Sequence, residues 1–118
     1  MVDNFRHFKA GPDPFGRSWQ VDFLWLQTAI SIRHSDAVDV KLLLSRGETR
    51  VEKVISFRHH DLLELSAETG RPLTDSWCMK LAGLHLLHII ETGEDLEKTL
   101  VTVSPEQLEK YNSLPVRP

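Results

Sequence analysis

The stretch that most constrains this chain is residues 18–34, SWQVDFLWLQTAISIRH. Trp19, Val21, Phe23 and Trp25 alternate with Ser18, Gln20 and Asp22, the pattern of a strand with one apolar face. From Leu24 the parity changes, and Leu26, Ile30 and Ile32 carry the apolar character on the other set of positions. Side chains on a strand alternate with period two, so the two sets face opposite ways in a regular strand. Either a β-bulge near residues 25–28 rotates the second half, or the strand is buried on both faces.

Two more strands follow closely. His34, Ser35 and Asp36 supply a turn, after which Val38, Val40, Leu42 and Leu44 alternate with Asp39, Lys41 and Ser45. Arg46-Gly47-Glu48 has hairpin chemistry, with a glycine available for positive φ. Residues 51–57 make the third strand, and Lys53 between Val51 and Ile55 marks it as an edge or a partly wet face. Strands joined this tightly form an antiparallel meander.

At residue 59 the pattern turns helical. Asp61 and Glu64 have the spacing of a capping box, and Gly70 with Pro72 beyond it ends a helix over 60–69. Thr74-Asp75-Ser76 offers a second cap for a helix over 76–92, stopped by Gly93. That helix is expected to be buried on most sides, with Gly83 admitting another backbone. Leu100, Val101 and Val103 make a short strand, and Ser104-Pro105-Glu106-Gln107 starts a last helix. A meander followed by helices predicts an α+β domain over 18–113, its helices packed on one face of the sheet. Residues 1–17 read as an arm or loop, because Gly11, Pro12, Pro14 and Gly16 disfavour helix and central strand. Residues 114–118 read as a frayed tail.

With 118 residues the chain has the length of one domain. Cys78 is the single cysteine, which excludes an internal disulfide framework and suits a reducing, cytoplasmic compartment. The net charge of −3 and the absence of a basic cluster argue against nucleic acid. Residues 1–58 carry a net +2 and residues 59–118 a net −5, so a basic half is expected to pack on an acidic one. The most apolar run, residues 81–90, is too short to span a bilayer and holds His85 and His88, so no membrane partner is expected.

Chemical motifs are sparse. His85, His88 and Glu91 recur every three residues on the long helix, a ridge that suits a divalent metal but has no established metal signature around it. A polar seam on a buried helix is the simpler reading. Cys78, flanked by Trp77 and Met79, reads as a buried small hydrophobe rather than a nucleophile. Phosphate-binding glycine loops and a nucleophile elbow are missing from the sequence. No catalytic residue and no cofactor is therefore assigned.

The aromatic arm and first strand hold residue types that interfaces favour: Phe15, Arg17, Trp19, Phe23 and Trp25. If both faces of the first strand are apolar, helices cover only one, and the other is expected to meet a second copy across a two-fold axis. The expectation is a non-enzymatic protein-binding or assembly module acting as a homodimer. A small histidine-based metal- or ligand-binding enzyme or sensor is the alternative.

Overall fold

The computed structural model describes residues 5–29, 37–70 and 72–113. Strands β1 (His7–Ala10), β2 (Trp19–Ala29), β3 (Ala37–Arg46) and β4 (Thr49–Arg58) form an antiparallel sheet in chain order. Helices α1 (His59–Thr69) and α2 (Asp75–Thr92) follow. The chain then returns as β5 (Leu100–Thr102), parallel to β4, before α3 (Pro105–Ser113). The predicted α+β class and its meander are present. The expected turn at residues 34–36, Ile30, Ile32 and the 114–118 tail lie outside the described residues.

The arm contributes more than a loop: β1 adds an edge strand, pairing Phe8 with Val21 and Ala10 with Trp19. The glycine and proline cluster begins only at Gly11, so the four residues before it remain free to pair. The β3–β4 hairpin closes on the pair Arg46 and Thr49, with Gly47 at φ 60° as the tight loop requires.

One face of the sheet carries the core. Val21, Val40, Leu42, Leu44, Ile55 and Phe57 are fully enclosed there against Leu62, Leu81, Leu86, Ile89, Ile90 and Leu108 of the helices. Each such side chain stabilises the fold by about 1.5–3 kcal/mol relative to exposure. Residues before 59 supply β1–β4, and those after supply the three helices together with β5 of the sheet.

The caps depart from expectation once. Thr74 caps α2 through its hydroxyl, which accepts from the Trp77 amide at 3.2 Å. Ser104 and Gln107 cap α3 reciprocally, and Gly70 and Gly93 end α1 and α2 in the left-handed region. Asp61 is not a cap. The helix begins at His59, with Arg58 at the cap position, so Asp61 falls inside the first turn. There its carboxylate is buried and accepts from the Arg58 guanidinium at 2.9 Å. Gly83 also differs: its close neighbour is the Phe5 ring rather than a backbone, and a Cβ there would lie 2.2 Å from that ring.

Candidate interaction surface

The parity change in the first strand is a bulge. Phe23 pairs with Leu42 and Trp25 with Lys41, so Leu24 is the extra residue. Sequence placed the bulge slightly later, near 25–28. Its effect is that Trp19, Val21 and Phe23 before it and Leu26 after it all turn to the helical side. Most of the apparent two-faced character is thereby absorbed by one core. Leu24 and Trp25 turn the other way, and they are 40% and 36% exposed.

Register places the outer-face neighbours of Trp25. Its row across the sheet is Trp25, Lys41, Val54 and Leu100, and the adjacent row is His7, Asp22, Leu43 and Glu52. Lys41 lies over the Trp25 ring at 5.5 Å and pairs with Glu52 at 3.0 Å. His7 pairs with Asp22. Leu24, Trp25, Leu43 and Val54 thus form an apolar centre inside a charged frame, extended at the β5 edge by Leu100. Trp25 also borders an open groove of about 530 Å³ at the edge of the sheet, with Phe23, Leu26 and Met79 as its apolar lining and Arg6, Asp75 and Ser76 as its polar one.

A second feature is the loop between β1 and β2. The Asp13 carboxylate is buried within it and accepts from the Phe15 and Arg17 amides, the Arg17 guanidinium and the Trp19 indole. Burial by itself raises a carboxyl pKa; these four donors outweigh it and hold Asp13 down at about 2. Gly11, at φ 117° after β1, has no room for a side chain, since a Cβ would lie 2.8 Å from the Arg17 carbonyl. The peptide between Gly11 and Pro12 is cis. Pro14 packs on Gly93, and Phe15 stands 76% exposed at the tip with Arg17 at 5.0 Å from its ring. Arg17 also lies over Trp19, at 5.5 Å.

The five residues expected at an interface therefore separate. Trp25 lies on the outer face. Phe15 and Arg17 lie on the loop. Trp19, only 6% exposed, belongs to the core, and Phe23 is packed against the core, because both share the inward parity before the bulge. Leu43, Val54 and Leu100 were missed. Leu43 and Val54 are apolar residues out of phase with the inward sets on their strands, the one signal that marks them. Lys53 was misplaced: it points inward, is buried, and donates to the carbonyls of Leu96 and Lys98 at 2.6 and 2.5 Å.

The histidine ridge is divided. His85 is buried, with Nδ1 2.5 Å from the Tyr111 hydroxyl and Nε2 without a partner among the described residues. Burial, then the neighbouring His88, push its pKa down to about 4 against the opposing pull of Asp95 and Glu94. His88 pairs with Glu94 at 2.9 Å, while Glu91 is exposed. Among the described residues no three His, Cys, Asp or Glu side chains gather as a metal site. Cys78 is buried, and that burial, with Asp75 nearby, pushes its thiol up to about 11, the reverse of nucleophile activation. Among the described residues no helix is long and apolar enough to cross a membrane. Comparison of the chain with protein-family models, with curated proteins and with solved structures finds no match.

Proposed function

We propose that the chain is a non-enzymatic assembly module that binds protein through the outer face of its sheet. One observation carries this reading: the bulge at Leu24 sends two large apolar side chains away from the core, onto the face opposite the one that the described helices cover. An apolar centre with a polar rim is the anatomy of a protein contact surface. Tryptophan at such a centre is the residue type that most often dominates binding energy. The buried, unactivated Cys78 supports a reducing, cytoplasmic setting.

Light scattering at micromolar concentration tests the self-associating form of the reading. The expected mass is near twice 13.5 kDa, and Trp25→Glu is expected to give monomer with an unchanged far-UV spectrum. A wild-type monomer, or a dimer indifferent to Trp25→Glu, overturns it.

A further inference from the structure

We infer that the partner on this face is a second copy of the chain, seated face to face about a two-fold axis that runs across the strands. The inference rests on the outer face being the contact surface, and it adds the partner and its orientation.

The argument is the distribution of charge by rows. At one end of the outer face, Lys9, Gln20, Ser45 and Arg50 stand in register. Two rows inward lies the apolar centre. Beyond the centre stand Gln27, Asp39, Ser56 and Thr102, and after them Ala37 and Arg58, the latter paired with Asp61. Asp22, Lys41 and Glu52 near the centre are paired within the chain. Lys9, Arg50 and Asp39 make no ion pair among the described residues. The face thus has a basic row at one end and, about 20 Å away at roughly 3.4 Å per strand residue, the carboxylate of Asp39, neither in an ion pair among the described residues.

Only one of the two simple axes uses this pattern. A two-fold running along the strands lays each row over its own copy, so the row of Lys9 and Arg50 faces another basic row and the row of Asp39 faces another Asp39 row. A two-fold running across the strands reverses one copy end to end. Arg50 of each copy then lies one strand spacing from Asp39 of the other, with Lys9 further along the same row. The two central rows exchange across the axis, so Trp25 lies over the other copy's Asp22 with Leu24 and Leu43 beside it, and Leu43 lies over Lys41. Stacked sheets sit about 10 Å apart, a gap that an arginine and an aspartate side chain close between them. The contact is isologous, so every pair occurs twice.

The test is a charge swap followed by sedimentation equilibrium. Asp39→Arg and Arg50→Asp, each alone, are expected to raise the dimer Kd roughly tenfold, because each turns two attractions into two repulsions. Mixed together, the two variants are expected to form a heterodimer at least about tenfold tighter than either homodimer, since one native and one reversed contact are then both attractive. Spin labels on Ser45→Cys supply a reading independent of charge: roughly 20 Å or more between copies for the axis across the strands, roughly 10 Å for the axis along them. A wild-type dimer in which the mixed pair gains nothing and the Ser45 labels lie close overturns the orientation while leaving the face as the contact. A wild-type monomer overturns the face as a self-contact, and the orientation with it.

Discussion

Trp19 and Trp25 stand six residues apart on β2, at the same parity, and point to opposite faces of the sheet. Leu24, inserted between Phe23 and Trp25, is the cause. Deleting Leu24 therefore regularises the strand without turning any other side chain over, since Phe23 and Trp25 already face consecutive residues of β3. The variant is expected to fold with its unfolding free energy changed by less than about 2 kcal/mol in urea. Deleting Gln20 instead inverts one end of the strand relative to the other, and is expected to prevent folding.

Asp13 organises the loop that carries Phe15. Its carboxyl is held at about 2, below its ordinary 3.8, so its contribution to stability is fully present above about pH 4. As pH falls from there towards 2, the folded state resists protonation more than the unfolded chain does, and stability drops. Asp13→Asn is expected to lower the melting temperature at pH 7 and to flatten the melting-temperature profile between pH 4 and 2. Thermal melts across that window measure both.

His85 acts in a different window. It is held at about 4, below its ordinary 6.5, because the buried ring is kept neutral. Above pH 6.5 neither state is protonated and the ring contributes no pH dependence. Between 6.5 and 4 the unfolded chain takes up the proton first, so stability falls with pH, by roughly 3 kcal/mol at the lower limit. His85→Leu is expected to remove this slope but to leave the Tyr111 hydroxyl unpaired, costing about 1–3 kcal/mol at pH 7. Adding Tyr111→Phe is expected to recover most of that cost. Urea titrations at pH 7 and 4.5 check the pair.

Lys53 holds the chain between α2 and β5. Its ammonium reaches the Leu96 and Lys98 carbonyls from inside the core; burial lowers its pKa, and Glu97 and Asp95 oppose that shift. Lys53→Met keeps the aliphatic stem but leaves both carbonyls unpaired. The expected loss is roughly 1–3 kcal/mol. Amide exchange should quicken at Val54 and Val103, which donate to Thr99 and Ser56 on either side of β5.

Local signals in the sequence determined the meander, the hairpin at Gly47, the helix stops at Gly70 and Gly93, and the Thr74 and Ser104 caps. Each depends on residues within a few positions of one another, through side-chain period, glycine conformations and hydroxyl caps. Tertiary structure decided the rest. The parity change in β2 announced a bulge or two buried faces, but only pairing with β3 located the extra residue at Leu24 and so sent Trp25 outward and Trp19 inward. Four residues before Gly11 became a strand because β2 offered them an edge. Lys53 went into the core because two carbonyls 43 and 45 residues along the chain were brought to meet its charge. Asp61, spaced as a cap, was enclosed with Arg58 once α1 began at His59. A charge or an aromatic ring has no face of its own until the strands beside it are in register, which is why the elements were legible in the sequence and the contact surface was not.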